Sequence, residues 1–205
     1  MLNYHIIGSG SSGNAVRIEN IMFDAGVPFN AMEDDLYKCD TLILTHIHSD
    51  HIKTPTLLKI QKQFPRIQVY GNPTVAYKFP VNHVIGTEPF KLPKRDITIT
   101  PFPAVHDTEN TGFMIEMNGL DILYITDTAE VNIPKDARFD WFFIESNYDE
   151  TKLREIGKKF KAGNYDPTDS VYRHLSTQQA KGVYYSHRKS KDSTFIELHK
   201  SRRFY

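Results

Sequence analysis

The residues able to do chemistry gather first in His46-Ile47-His48-Ser49-Asp50-His51, four potential metal donors within six positions. They follow directly on the apolar run Thr41-Leu42-Ile43-Leu44-Thr45, where a buried strand gives way to a loop. Imidazole nitrogen and carboxylate oxygen together suit zinc, manganese or iron, and such a cluster is costly to pack unless a cation draws it together. A solvated turn that is rich in histidine by chance is the plainer reading. It leaves unexplained why His106 and Asp127 recur in similar settings, each after a strand-like run. The chain is therefore read as building a metal site.

The elements that must position these donors are short and mixed. Strands are predicted at Tyr4–Ile7, Ala15–Ile18, Ile21–Phe23, Thr41–Thr45 and Ile67–Tyr70, and helices at Pro55–Gln63 (Leu57, Leu58 and Ile60 inward) and Thr74–Lys78. Further on, Asp96–Pro101, Gly112–Met117, Asp121–Ile125 and Asp140–Ile144 read as strands, with Asn118-Gly119 as a hairpin turn. Glu150–Phe160 has helical spacing, Lys161–Asp169 reads as a loop, and Val183-Tyr184-Tyr185-Ser186 as a strand-like run before His187. Strand groups broken by helices, without strict βαβ alternation, predict an α/β (α+β) fold of two packed sheets with helices outside, as one domain over 1–205.

Composition bounds the setting. No apolar run approaches the roughly 18 residues of a membrane span, and the start Met1-Leu2-Asn3-Tyr4-His5 lacks signal-peptide character. The one cysteine, Cys39, rules out an intrachain disulfide and a thiolate zinc cluster. A cytoplasmic protein with no membrane partner is expected. From Thr151 onward there are 13 Lys/Arg against 5 Asp/Glu, and before it 12 against 20. An acidic front that binds cations and a basic back that holds an anion is one reading of this division, and segregation of solvated surface charge is the other.

Gly8-x-Gly10-x-x-Gly13 matches a dinucleotide-binding fingerprint in letters only. That fingerprint needs a helix directly after it, whereas Ala15–Ile18 alternates like a strand and Asp24 comes too early. Asn14 stands where a phosphate-binding loop would need lysine. The glycines and serines are better read as allowing close backbone approach to the metal loop, with N–H groups toward an anion, or as a plain tight turn.

Thr45-His46-Ile47-His48-Ser49-Asp50-His51 resembles the H-x-H-x-D-H signature of the metallo-β-lactamase superfamily, and the likeness extends through Asp24-Ala25-Gly26, His106 and Asp127 over roughly residues 1 to 149. Gly8–Ala15, Glu145-Ser146-Asn147 and His174-Leu175-Ser176 look most like its YycJ/WalJ-type branch, which is associated with DNA exonuclease activity and related to ribonuclease Z-like phosphodiesterases. The resemblance implies the superfamily's αββα sandwich, two mixed sheets flanked by helices. It implies two divalent ions, zinc first and manganese second. His46, His48 and His106 would hold one; Asp50, His51 and a late histidine, His187, would hold the other; Asp127 would bridge. A water shared by two such ions loses its proton near neutral pH, and the ions neutralise a phosphodiester's oxygens. Asp50 would orient the resulting hydroxide, and Asp24, Thr45 and Thr126 would steady the ligands. His174, before the helix-start pattern Ser176/Gln179, is assigned to phosphate contact or leaving-group protonation, and Ser11, Ser12, Asn14 and Asn147 to substrate. His5, His83 and His199 are lone histidines and read as structural or solvated. The end departs from the branch's pattern, since only Ser176–Gly182 separates the His-Leu-Ser element from the expected last ligand.

The expected function is phosphodiester hydrolysis on nucleic acid or a nucleotide, with a homodimer as one way for a compact chain to complete its groove. A small-molecule hydrolase of the same fold, acting on cyclic nucleotides, lactones or thioesters, is the alternative. A metal-bound binding module without turnover is a third reading, and the full ligand set speaks against it.

Overall fold

The computed structural model describes residues 2–93, 96–157 and 171–201. They form two compact units, Met1–Gly86 with Thr108–Asn110, and Thr87–Asp107 with Thr111–Tyr205.

The first unit is a six-stranded mixed sheet in the order β1-β2-β3-β4-β5-β6. Its strands are β1 (Tyr4–Gly8), β2 (Ala15–Ile18), β3 (Ile21–Phe23), β4 (Thr41–Leu44), β5 (Gln68–Gly71) and β6 (His83–Val84). β1, β2 and β3 pair antiparallel, and β3 through β6 run parallel. The central β4 is buried at every residue, which is why it reads as a continuous apolar run rather than an alternation. Three helices accompany the sheet: α1 (Phe29–Leu36), α2 (Thr54–Gln63) and α3 (Pro73–Lys78). In α2, Leu57 and Ile60 are buried but Leu58 is 51% exposed, correcting its expected inward position. One residue turns a helix by 100°, so Leu57 and Leu58 cannot share a narrow stripe, and Thr56 takes the buried place. Helix α1 was not foreseen; its buried face is Phe29, Met32, Asp35 and Leu36. Cys39 packs against this core, and burial pushes its thiol up to about 12, far from the reactive thiolate form.

The second unit is also a six-stranded mixed sheet, in the order β12-β11-β10-β9-β8-β7. Its strands are β7 (Phe90–Lys91), β8 (Ile97–Ala104), β9 (Asn110–Met117), β10 (Leu120–Ile125), β11 (Trp141–Glu145) and β12 (Thr194–Leu198). Asn118 and Gly119 both take positive φ (54° and 74°), the turn that matches the twist of the hairpin β9–β10. α4 (Glu150–Gly157), a short 3-10 turn (Val171–Arg173) and α5 (Thr177–His187) complete the described elements. The loop expected at 161–169 and the end of the helix expected to Phe160 lie outside the described residues.

α5 overturns the strand expected before His187. Ser176 and Gln179 make both halves of a capping box, and Ala180, Val183 and Tyr184 fall at helical spacing against the core around Phe142. The β-propensity of Val183-Tyr184-Tyr185 is outweighed by that packing. α5 starts beside Tyr148, where Thr177 N donates to its carbonyl at 2.8 Å, and ends where Phe139 N donates to His187 O at 2.9 Å. It thus runs back along β11 as a crossover to β12, which pairs parallel to β11 with Glu145 opposite Leu198. The expected shortening of the chain's end is therefore absent: a full 11-residue helix and a further strand follow the His-Leu-Ser element.

Among the described residues no helix is long and apolar enough to cross a membrane.

Candidate metal centre

Each donor except His174, which follows the 3-10 turn, lies at or just past the C-terminal end of a strand. In the first unit these ends belong to the parallel strands β3 and β4. In the second they belong to β8, and to β10, β11 and β12, of which the last three run parallel. Parallel strands bring their exits to one side, where loops present polar side chains. Three exit residues, Asp24, Asp127 and His199, hold φ of 63°, 50° and 51°. Left-handed backbone costs a non-glycine residue roughly 1–2 kcal/mol, a strain that persists at sites where surrounding bonds over-determine it.

In the first unit, His46 and His51 are fully buried and His48 partly so. His46 Nε2 lies 3.1 Å from His48 Nδ1, and His51 Nε2 lies 3.8 Å from Asp50 Oδ2. The His46 ring centroid is 4.7 Å from that of His48 and 4.1 Å from that of His51. Asp24 is fully buried and organises this set. Its Oδ1 accepts from Thr45 N at 2.8 Å and its Oδ2 meets His51 Nδ1 at 2.7 Å, fixing that imidazole's orientation. The glycine loop closes tightly on the donor loop, as read from the sequence. Asn14 N donates to Asp50 O at 2.7 Å, and a Cβ on Gly26 would stand 1.7 Å from that same oxygen. Only glycine fits there. Asn14 itself is 4% exposed, bonded to Gly10 O and Asp50 O and 2.8 Å from His51 Nε2. It wedges the two loops together, which corrects its assignment to substrate. Ser11 and Ser12 are exposed on the same loop.

In the second unit, the carboxylate of Asp127 divides between two histidines. Its Oδ2 is 3.9 Å from His106 Nε2, and its Oδ1 is 3.2 Å from His199 Nδ1. Thr126 Oγ1 donates to Asp127 Oδ1 at 2.9 Å. Asp127, Glu145, His174 and His199 offer ligand atoms within 4.8 Å of one another. Glu145 is fully buried and saturated: Oε1 faces His174 Nδ1 at 2.6 Å and His199 Nδ1 at 3.1 Å, and Oε2 accepts from Thr128 N at 2.8 Å and Leu175 N at 3.3 Å. Burial alone would raise its pKa, but the bonds with His174 and His199 outweigh it and hold the carboxyl below its usual range. For His174, burial works against the charged form, yet Glu145 prevails and keeps the imidazole protonated to higher pH than usual.

His187 does not join this group. Its Nδ1 faces Ala137 O at 3.0 Å, four residues ahead of β11, whereas Glu145 ends that strand. The stretch from Phe139 to Glu145, at roughly 3.3 Å per residue, separates the two by about 20 Å. His199, read from sequence as a lone structural histidine, lies instead beside Asp127 and Glu145. The available signal was the alternating run Thr194–Leu198 directly before it, the same strand-then-donor pattern that marks His46 and His106. Asn147, assigned to substrate, is 7% exposed and instead holds His199, its Nδ2 donating to the His199 carbonyl at 2.9 Å and lying 3.0 Å from its Nδ1. Glu145 lies in the Glu145-Ser146-Asn147 element that carries the family resemblance, and its type and spacing alone signal no role.

The residues fit divalent cations. Bonds of 2.0–2.1 Å in tetrahedral arrangement put neighbouring donors roughly 3.3 Å apart, close to the 3.1–3.9 Å between the pairs above. Imidazoles buried this close repel one another when charged, and a shared cation removes that cost.

Fold and donors together define the class, a two-sheet domain with a candidate metal centre at its strand ends. Residues 19–187 match the family described as the beta-lactamase superfamily domain, and the chain belongs to that family. The exodeoxyribonuclease YycJ of Bacillus anthracis is 28% identical over 180 residues, covering 75% of this chain and 66% of that protein. The cytidine monophosphate-N-acetylneuraminic acid hydroxylase of Xenopus laevis is 34% identical over 86 residues, covering 42% of this chain and 14% of that one. This chain therefore spans less than two thirds of either relative. The crystal structure of the short form of human tRNase Z shares the fold with a TM-score of 0.71 at 16% identity, covering 98% of this chain and 93% of that one.

Proposed function

We propose that the chain is a dinuclear phosphodiesterase acting on nucleic acid or nucleotides, zinc-dependent, with manganese as the second candidate. The carrying observation is the Asp127 carboxylate, whose two oxygens face different histidines, the arrangement a bridging ligand requires. In this reading the first unit's ligands are His46, His48, Asp50 and His51, and the second unit's are His106, His199 and the bridging Asp127. Two divalent cations held there acidify a water and offset the charge that develops on phosphate oxygens. Nuclease names among the similar proteins support the phosphodiester reading.

The chain's own proton chemistry centres on His174. Its Nδ1 is engaged by Glu145 Oε1, so its Nε2–H is the group left to protonate a leaving oxygen. Glu145 holds the ring in that orientation and in its charged form. Glu145→Gln keeps the shape and removes the charge. His174 then loses its proton at lower pH, and the basic limb of the kcat profile is expected to move down the pH scale. An unmoved limb would remove His174 from the proton-donating role.

The substrate class is tested by turnover of DNA, RNA, cyclic nucleotides and neutral lactones or thioesters with zinc and manganese compared. Phosphodiester turnover is expected. For a polymer, binding to an inactive variant should weaken steeply with salt, with a log–log slope of roughly −0.7 to −0.9 per phosphate contacted. A cyclic nucleotide would give a shallow slope. Hydrolysis confined to neutral esters would sink the phosphodiesterase reading.

A further inference from the structure

We propose that Arg173 is the residue that reads the substrate's phosphate, making the site selective for anionic diesters over neutral esters. This rests on the phosphodiesterase reading above and deepens it. Of the described cations near the late histidines, the second unit's geometry favours this one. Lys189 is committed to two carboxylates, Asp121 and Asp140, at 2.5 and 2.7 Å, and its pKa is raised by them. Arg188 lies over the rings of Tyr184 and Tyr185, 5.7 and 5.0 Å from their centroids, at the end of α5 remote from the donors. Lys200 is paired to Glu197 at 2.6 Å.

Arg173 stands instead on the 3-10 turn immediately before His174. Its Nη1 donates to Asp107 Oδ2, and the other oxygen of that carboxylate is 3.3 Å from His106 Nε2. One carboxylate therefore spans the gap between this guanidinium and a donor histidine. His106 and His174 have ring centroids 5.6 Å apart, so Arg173 flanks the two side chains between which a phosphate would be handled. The Arg173 side chain is 50% exposed. A guanidinium carries five N–H donors in a planar fork, and the Asp107 contact engages one edge. That leaves donors for the paired oxygens of a phosphate, which arginine binds in bidentate fashion. Asp107 acts as a tether that orients the fork, and a neutral carbonyl substrate would draw little from it.

Two readouts test this on the metal-loaded protein: turnover of bis(p-nitrophenyl) phosphate, and the affinity for inorganic phosphate by calorimetry. Arg173→Ala is expected to lower both by about 10- to 100-fold, the range set by a charge-assisted hydrogen bond pair. Metal content and thermal midpoint should stay as in the parent. Arg173→Lys should recover part of the loss, since it keeps the charge but not the fork, and Asp107→Asn should lose less than Arg173→Ala. Unchanged phosphate affinity in Arg173→Ala, or a loss matched by loss of metal, would overturn the assignment. Absence of diester turnover in the parent, with phosphate affinity still dependent on Arg173, would sink the phosphodiesterase reading and leave the arginine's role as an anion contact standing.

Discussion

Asp127→Ala is expected to abolish hydrolysis and to lower the metal content of the purified protein from two equivalents. Asp127 is 2% exposed, and its two oxygens face His106 and His199. Removing it takes one donor from each proposed site and half of the charge that offsets two dications. The activity loss should reach at least the 10²–10³-fold that deleting one electrostatic stabiliser costs an active site. Elemental analysis alongside turnover checks this, with circular dichroism to show that the sheets persist. A variant that keeps two equivalents and full activity would end the bridging role. Protein that is fully active with one ion would end the dinuclear reading altogether.

The pair His199→Ala and His187→Ala is expected to separate sharply. His199 sits 3.2 Å from Asp127 and 3.1 Å from Glu145, and Asn147 fixes its backbone. Its loss should empty one site toward a single equivalent and cut turnover by a similar 10²–10³-fold. His187→Ala should cost only the hydrogen bond to Ala137 O, about 0.5–1.5 kcal/mol of stability, with metal content and turnover unchanged. The reverse outcome, with metal lost on replacing His187, would return the late ligand to the end of α5.

The two histidines also show where local pattern runs out. Donors that lie within one short loop, His46 to His51, are legible because spacing alone makes them neighbours. Asp24 and Asp127 are legible because each follows an apolar run that reads as a buried strand, and His106 because it follows an alternating one. The glycine loop was readable as a close-approach device for the same reason: the segment after it alternates, which excludes the helix a dinucleotide fingerprint needs. Hairpin chemistry at Asn118-Gly119 and the capping pair Ser176/Gln179 are likewise local, and both stand in the structure.

By itself, then, the sequence determined the family, the strand-end placement of six donors, and the kind of chemistry they suit. Only the tertiary structure decided which late histidine stands beside Asp127. Val183-Tyr184-Tyr185 favours a strand locally, and becomes helix because Ala180, Val183 and Tyr184 bury together against the core around Phe142. That choice turns the chain back along β11 and sends β12 forward again, so that the parallel register of Glu145 with Leu198 sets His199 beside the buried carboxylate. The structure also places Asn14 and Asn147 inside, as braces for the loops they were expected to leave for substrate, and gives Glu145 two imidazoles to hold. Register between strands some fifty residues apart is fixed by packing across the sheet, and no local spacing encodes it.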